Sequence, residues 1–189
     1  PSDPVVVAPD GALAAAASWD GRVTLVDAAG RRVGGHGLHD GMVHALTFSP
    51  DSRYLLSVDQ GARAVLYDRA SGGALSVTSD GEEWIGWGAG GRFTASRGGA
   101  ALLSVSSARR AHAVDQFAPA LNDPAALLEP LGLIDAARAE HYRAARARRY
   151  ERLGEVADVD PDALPTAEIA AVERNGDRAR ISVRLGAAQ

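Results

Sequence analysis

The sequence of 189 residues contains no cysteine, which excludes disulfide bonds and thiolate metal sites. It also contains no lysine, and all 20 basic residues are arginine. This bias, together with frequent alanine and glycine, is typical of a GC-rich bacterial genome. No hydrophobic run approaches the roughly 18 residues that a membrane-spanning helix needs, so we expect a cytoplasmic protein without a membrane partner. The net charge of −4 gives no general reason to expect nucleic acid as a partner.

Motifs of common enzymes are missing as well. The sequence has no Gly-x-Ser-x-Gly elbow, no phosphate-loop consensus and no zinc-binding His-Glu-x-x-His. Hydrophobic residues make up 46% of the chain and charged residues 23%, which are ordinary values for a globular protein. We therefore predict a folded chain of one domain or two small ones, with no catalytic residues and no cofactor.

A hairpin pattern occurs at residues 44–58, where HALTFSPDSRYLLSV alternates apolar and polar residues around Ser-Pro-Asp-Ser at 49–52. Proline fixes the backbone angle φ at the second turn position and aspartate bonds its own backbone, so this turn suits a hairpin. The same pattern stands 41 residues upstream, with Ala-Pro-Asp-Gly at 8–11. Residues 25–27 match residues 66–68 at the same spacing. The hairpin is therefore repeated.

A third and weaker copy begins at Glu83, where EWIGWGAGGRFTAS places two glycines at the turn and GAALLSV supplies the next strand. A period near 40 residues with four short strands in each unit is typical of propeller blades. We therefore predict a mainly β fold over residues 1–114, a partial propeller of about three four-stranded blades.

These units resemble the WD-repeat β-propeller family. The family's recurring His, Phe-Ser-Pro-Asp-Gly and Trp-Asp elements appear here at His39, residues 48–51 and residues 67–68. The sequence departs from the family where Tyr67 replaces the tryptophan and Ser52 replaces the glycine. The resemblance covers residues 4 to 114, and the first two units carry it best.

The resemblance implies a structural role for His39, which in the family lies in the loop before a blade and bonds the backbone or a Ser or Asp partner. Five aspartates recur at turn positions of the units, and we interpret them as turn-forming rather than as paired catalytic carboxylates. We predict blade-structural roles for four of these aspartates and the histidine: Asp20, Asp27, Asp51, Asp68 and His39. The fifth aspartate is Asp59.

Three blades cannot close a propeller, because closed wheels contain roughly four to eight. An unclosed set leaves open strand edges and an exposed apolar face, which favours aggregation. We therefore expect this chain to be the C-terminal part of a longer protein. The alternative is that it closes against another chain.

A helical segment is predicted at residues 115–154, where the alternation stops and Ala, Leu, Glu and Arg predominate. Asp123 and Pro124 predict the N-cap and first position of a short helix. A longer helix is predicted from about residue 134 to residue 153, ending at Gly154. We interpret its arginines as a solvated face, with docking to an acidic partner as the alternative: Arg138, Arg143, Arg146, Arg148, Arg149 and Arg152.

The C-terminal part contains a predicted linker at residues 155–165 and a β-hairpin within residues 166–189. Asn175-Gly176 is a strong signal for a type I′ turn. The hairpin either begins a β-sandwich domain or pairs with the propeller. This order of elements resembles bacterial proteins that fuse WD-repeat propellers to a caspase-like peptidase. Because the chain has no cysteine, the peptidase activity itself does not carry over.

Two places in the sequence invite a metal-site interpretation. His36, His39 and His44 fall close together, but carboxylates at ligand spacing are missing. The alternating aspartates of residues 158–162 begin like a calcium loop, yet Pro161 and the lack of a following glycine break that template. We therefore predict no metal site.

The sequence best fits a non-catalytic scaffold for protein interaction or sensing, which presents rigidly held loops to a protein partner. Exposed aromatic residues and arginine are the usual anchors of such contacts. We expect the candidate partner-binding residues to lie on such loops: Trp19, His36, Arg63, Trp84 and Trp87. An alternative places the last two in the core. The enzymatic alternatives are a propeller hydrolase with a central site, or the regulatory portion of a multidomain peptidase whose catalytic domain lies outside this chain.

Overall fold

The computed structural model describes residues 4–106, 111–153, 166–175 and 178–186. Two antiparallel sheets dominate it, and each is a meander in which strands adjacent in the chain are paired. The first sheet consists of β1 (Val5–Val7), β2 (Leu13–Ala17), β3 (Val23–Asp27) and β4 (Arg32–His36). The second consists of β5 (Val43–Phe48), β6 (Tyr54–Asp59), β7 (Ala64–Asp68), β8 (Ala74–Ser79), β9 (Trp84–Trp87) and β10 (Phe93–Ala95).

Polar turns join the strands and repeat with the 41-residue spacing. In the β1–β2 turn the Asp10 carboxylate accepts a hydrogen bond of 3.0 Å from the amide of Ala12. In the β5–β6 turn Asp51 accepts one of 3.1 Å from the amide of Arg53. An aspartate that bonds the backbone two residues further on holds a tight turn. The two units therefore fold alike, because an aspartate stabilises the equivalent turn in each.

The two sheets pack face to face around one apolar cluster. Buried side chains from both sheets meet there: Ala15, Val23, Leu25, Phe48 and Leu55. Outside this cluster, the amide of Asp10 donates a hydrogen bond of 3.0 Å to the hydroxyl of Ser52. Ser52 has a φ of 60° where the WD-repeat pattern has glycine, and its hydroxyl links the two units. This stacking of repeated antiparallel sheets is a partial propeller-like fold, and it confirms the predicted mainly β class.

The third predicted blade does not form a sheet of its own. Strand β9 pairs with β8, with Trp84 opposite Ser79, and β10 pairs with β9. The strands of the third unit therefore extend the second sheet to six strands. The expectation of about three four-stranded blades is corrected to one four-stranded and one six-stranded sheet.

The length of the connections explains this difference. Between β4 and β5, residues 37–42 are long enough to carry the chain from one sheet to the next. Between β8 and β9 only residues 80–83 intervene, and the Asp80 carboxylate binds the amides of Glu82 and Glu83 at 3.1 and 2.9 Å. A tight, hydrogen-bonded reversal leaves the next strand beside the previous one.

Short helices follow the sheets. The segment Gly99–Leu102, predicted as strand, forms a 3₁₀ turn instead, and β11 (Ser104–Ser106) pairs with β12 (Ala111–Ala113). The helices are α1 (Ala118–Leu121), α2 (Pro124–Leu128) and α3 (Ala136–Leu153). As the sequence predicts, Asp123 caps α2, where its side chain accepts a hydrogen bond of 3.1 Å from the amide of Ala126.

Two of the arginines predicted as a solvated face hold α3 against its neighbours. Arg146 lies 2.7 Å from the carboxylate of Asp123, and Arg149 donates a hydrogen bond of 3.1 Å to the carbonyl of Ala118. The same Asp123 carboxylate lies 3.2 Å from Arg92, in the β9–β10 connection. One buried carboxylate therefore joins α2 and α3 to the second sheet.

The C-terminal hairpin comprises β13 (Thr166–Asn175) and β14 (Arg178–Gly186), with Asn175 opposite Arg178. The predicted linker, the aspartates of residues 158–162 and the two residues of the hairpin turn lie outside the described residues. The predicted domain boundaries and the start of a β-sandwich therefore stay predictions. None of the helices in the part of the chain that the structure describes has the length and hydrophobicity needed to cross a bilayer.

Candidate interaction site

The alternating strand directions bring the connections to two ends of the sheets. One end, which we call the Trp19 end, carries residues 18–22, 37–42, 60–63 and 80–83. The other, which we call the Asp51 end, carries residues 8–12, 28–31, 49–53 and 69–73. Each end therefore collects connections from both sheets, and surface side chains that are distant in the sequence share one end.

Two tryptophans are exposed at the Trp19 end. Trp19 lies in the β2–β3 turn with 76% of its surface exposed, and Trp84 at the start of β9 is 42% exposed. Leu38, in the β4–β5 connection of the same end, is also exposed. Large apolar side chains held in this way are the usual anchors of protein–protein contacts. Two of the five predicted contact residues are thus accessible.

The turn that carries Trp19 is held against the β4–β5 connection. Gly21 has a φ of +83°, and a Cβ atom there would lie 2.4 Å from the carbonyl oxygen of His39. Only glycine permits so close an approach in this conformation. Within the turn, the Asp20 carboxylate accepts a hydrogen bond of 3.1 Å from the amide of Arg22. The exposed indole therefore stands on a fixed backbone, which reduces the entropy lost on binding.

Arg63 and Trp87 contact each other instead of standing free. The guanidinium carbon of Arg63 lies 5.4 Å from the ring centroid of Trp87, a cation–π distance. Arg63 also donates a hydrogen bond of 2.7 Å to the carbonyl of Leu38 and forms an ion pair with Asp40. Trp87 packs against a buried cluster that contains Phe93. These contacts tie two connections of the Trp19 end to each other and to β9, and so stabilise that end.

Three of the predicted contact residues lie on strands, so their expected loop positions are wrong. His36 is the last residue of β4, and Trp84 and Trp87 are the first and last residues of β9. For the two tryptophans the reason is that the tight β8–β9 reversal is followed at once by a new strand. The alternative that placed the two tryptophans in the core holds in part for Trp87, which is half-buried, and not for Trp84.

A buried polar network lies beneath the Trp19 end. The Nδ1 atom of His39 lies 2.9 Å from a carboxylate oxygen of Asp59, and its Nε2 atom lies 2.7 Å from the hydroxyl of Ser57. Burial alone would raise the pKa of Asp59, but hydrogen bonds from His39 and from the amide of Arg63 hold it below its usual value. The network joins the β4–β5 connection to β6.

A serine, a histidine and an aspartate in this order resemble the arrangement of a hydrolase triad, but the burial excludes that role. Ser57 is 0% exposed and His39 is buried, so no substrate carbonyl can reach the hydroxyl. Ser57 also contacts the carbonyl of Val65 at 3.4 Å and the ring of His36 at 3.3 Å. The resemblance implies a Ser or Asp partner for His39, and the structure identifies both kinds, Ser57 and Asp59, which alternate on one face of β6.

Neither a protein-family model nor a curated protein matches the chain. Solved structures similar to part of it include U3-55K, with 17% identity over 45% of this chain and 35% of that chain and a TM-score of 0.34. A second, of the RRP9 WD40 repeats, shows 18% identity over 45% of this chain and 34% of that chain, also with a TM-score of 0.34. The aligned part spans about a third of those chains.

The aspartates of the turns accept hydrogen bonds that favour their charged form. The Ser18 hydroxyl lowers the pKa of Asp20, and the Arg31 amide lowers the pKa of Asp27. The Ser49 hydroxyl does the same for Asp51. Charged carboxylates saturated by local donors fit a turn-forming interpretation. The blade-structural role predicted for these residues stays a prediction, and it is consistent with these contacts.

Two of the three histidines, His36 and His39, lie side by side with ring centroids 5.5 Å apart, and the third lies elsewhere. His39 uses both ring nitrogens within the protein, and His44 is exposed on β5. Across residues 4–106 and 111–153, no group of three or more acidic or histidine side chains is placed to hold a metal ion.

The environment of His36 makes the stability of the folded chain depend on pH. Its ring lies between β4 and the second sheet, and burial together with the neighbouring His39 lowers its pKa from 6.5 to about 4. Its Nδ1 atom has no hydrogen-bond partner among the described residues. The folded chain therefore keeps this ring neutral at pH values where the unfolded chain protonates it.

Stability should consequently fall as the pH drops from 6.5 towards about 4. We expect a loss of roughly 2 kcal/mol across this window, since the half-buried ring is partly screened by solvent. Urea unfolding at several pH values measures it, and His36→Gln should flatten the dependence in the same window. An unchanged slope in that variant would assign the pH dependence to other groups.

Proposed function

We propose that the chain is a non-catalytic scaffold of the WD-repeat type and that its Trp19 end binds a protein partner. The observation that carries this proposal is the exposure of Trp19, 76%, on a turn fixed by Gly21. A large indole on an immobile backbone offers apolar area at little entropic cost. Trp84 is the second proposed anchor of the surface.

In this proposal Arg63 and Trp87 stabilise the contact surface through internal contacts. Arg63 is bound to Leu38 and Asp40, and its guanidinium covers the Trp87 ring. A partner that contacts Leu38 and Trp84 would therefore meet a surface already ordered by internal contacts. We leave His36 out of the proposed contact surface, because its ring is directed at Ser57 in the interior.

We also propose that the outer face of the first sheet is covered by a further sheet of the same repeat. Val5 and Val7 on β1 are 66% and 62% exposed. Their equivalents 41 residues later are Leu46 and Phe48, which pack in the cluster between the sheets. The equivalent face of the first sheet is therefore also apolar, but no sheet packs against it among the described residues. This supports the expectation of a longer propeller or of closure by another chain.

The regulatory alternative, in which a peptidase domain lies outside this chain, stays a prediction. Among the residues with described side chains, the Ser57, His39 and Asp59 network is closed to substrate. This supports the non-catalytic proposal for these two sheets. It bears on no other domain. The bacterial origin and the cytoplasmic location likewise stay predictions.

The scaffold proposal is tested by affinity capture with the chain as bait, followed by binding measurements with each purified captured protein. We expect Trp19→Ala combined with Trp84→Ala to weaken binding at least tenfold, because truncation of a central aromatic anchor costs about 2 kcal/mol. Leu153→Ala serves as the matched control, since Leu153 is an exposed apolar residue on α3 and belongs to none of the connections that form the Trp19 end.

The control variant should bind as the unchanged chain does. Equal affinity of the double tryptophan variant for every captured protein would contradict the assignment of the surface. Circular dichroism of each variant confirms that the fold is retained, because both tryptophans are exposed and their removal opens no cavity.

A further inference from the structure

Helix α3 carries six arginines, and the structure divides them into two groups. The first group is bound within the molecule. Arg143 forms an ion pair with Glu129, and Arg146 lies 2.7 Å from a carboxylate oxygen of Asp123. Arg149 donates a hydrogen bond of 3.1 Å to a backbone carbonyl of α1. These three guanidinium groups therefore hold the helix in place.

The second group consists of Arg138, Arg148 and Arg152, which are all exposed. Among the residues with described side chains, no carboxylate lies within ion-pair distance of these three guanidinium groups. With about 3.6 residues per turn, the three side chains fall within a sector of about 80° of the helix surface and span about 21 Å along it. We call this set the α3 arginine stripe.

The stripe stands on an ordered backbone. The Asp135 carboxylate accepts a hydrogen bond of 2.8 Å from the amide of Arg138 at the start of α3. Ala139, on the opposite side of the helix, is fully buried. A partner would therefore find the three arginines already in line, and its binding would restrict only their side chains.

The stripe carries positive charge that the protein itself does not neutralise. Arg148 and Arg152 are four residues apart, and like charges at this spacing on a helix repel each other. Carboxylates of a partner would remove this repulsion, and arginine binds a carboxylate through two parallel hydrogen bonds. Charge complementarity therefore favours an acidic occupant.

Other occupants fit the stripe less well. A nucleic acid would gain only three phosphate contacts, and binding of single strands also uses stacking on aromatic side chains. The two tyrosines of α3, Tyr142 and Tyr150, are half-buried, and the hydroxyl of Tyr150 is bound by Arg146. A second copy of the same stripe would oppose arginine to arginine. An acidic protein segment avoids both difficulties.

We propose that the α3 arginine stripe binds an acidic segment of a partner protein, with carboxylates placed along one side. For three of the six arginines, this is the alternative that the sequence left open beside a solvated face. The stripe belongs to none of the connections that form the Trp19 end, so the contact is additional to the proposed scaffold surface.

The probe for the experiment is a fluorescent synthetic peptide of repeated Glu-Ala-Ala-Ala-Glu-Ala-Ala units, whose glutamates share one side of a helix. Fluorescence anisotropy at low salt measures its binding to the full chain. We expect saturable binding, weakened about tenfold in the triple variant Arg138→Gln, Arg148→Gln, Arg152→Gln, because three ion pairs are lost. Glutamine is a good helix former, so the variant should keep its fold.

The matched control is the triple variant Arg22→Gln, Arg31→Gln, Arg32→Gln. It removes the same charge from the first sheet, where all three arginines are exposed. We expect it to weaken peptide binding less than about twofold, since only the change in net charge acts on the peptide.

Three results would overturn the inference. They are the absence of saturable binding to the unchanged chain, an equal loss of affinity in the two triple variants, and tighter binding of an oligothymidylate of the same charge than of the peptide. Any of these, with partner capture still dependent on Trp19, would refute the contact at α3 and leave the scaffold proposal standing.

Discussion

Replacement of His39 by alanine is expected to lower the free energy of unfolding by about 3 kcal/mol. The substitution leaves the carboxylate of Asp59 and the hydroxyl of Ser57 without the ring that now lies 2.9 and 2.7 Å from them. Both groups are buried, so water cannot readily replace the lost hydrogen bonds. Urea unfolding followed by tryptophan fluorescence measures the change.

His44→Ala provides the control for this measurement. His44 is an exposed histidine on β5, and its truncation should change the free energy of unfolding by less than about 0.5 kcal/mol. Equal effects of the two substitutions would show that the network of His39 does not stabilise the stacked sheets.

Asp68 gives the second large expected effect. Its carboxylate is 1% exposed and accepts hydrogen bonds of 3.2 Å from Arg53 and 2.8 Å from the hydroxyl of Ser71. Burial alone would raise the pKa of Asp68, but the donors, with Arg53 the strongest, hold it below the usual value. Asp68→Ala removes this acceptor and should cost about 3 kcal/mol, measured by urea unfolding at neutral pH.

The repeat supplies a matched control for Asp68 in Asp27, which occupies the same position 41 residues earlier. Asp27 binds Arg31 at 2.7 Å, but its side chain is more exposed and the arginine is in solvent. Water can replace those contacts, so Asp27→Ala should cost only about 1 kcal/mol. Similar losses for the two substitutions would contradict the ranking by burial.

The first two units of the fold could be predicted from the sequence because the strand pattern and the turn residues repeat with the same spacing. The alternation of apolar residues gives the strands, and Asp10 and Asp51 give the turns between them. The third unit could not be predicted from the same pattern. The short connection at residues 80–83 keeps β9 paired with β8. The glycines at 90–91 predict a turn, but they do not determine which sheet the strands join.

The candidate site was predictable in part for a similar reason. Trp19 stands next to Asp20-Gly21, a turn signal, and a residue in a hairpin turn is exposed. The partners of His39 depend on which residues of β6 face the loop, and that follows from register and packing, not from spacing.

The central claim is that two copies of one repeat stack face to face, and a designed disulfide tests it most directly. The amide of Asp10 and the hydroxyl of Ser52 are 3.0 Å apart, and the chain has no other cysteine to interfere. In the double variant Asp10→Cys, Ser52→Cys, mild oxidation should form an intramolecular bond, seen as the loss of two hydrogen atoms by mass spectrometry. The pair Asp10→Cys, Asp80→Cys joins opposite ends and should not close. Failure of the first pair to close in the folded chain would contradict the stacking of the two sheets.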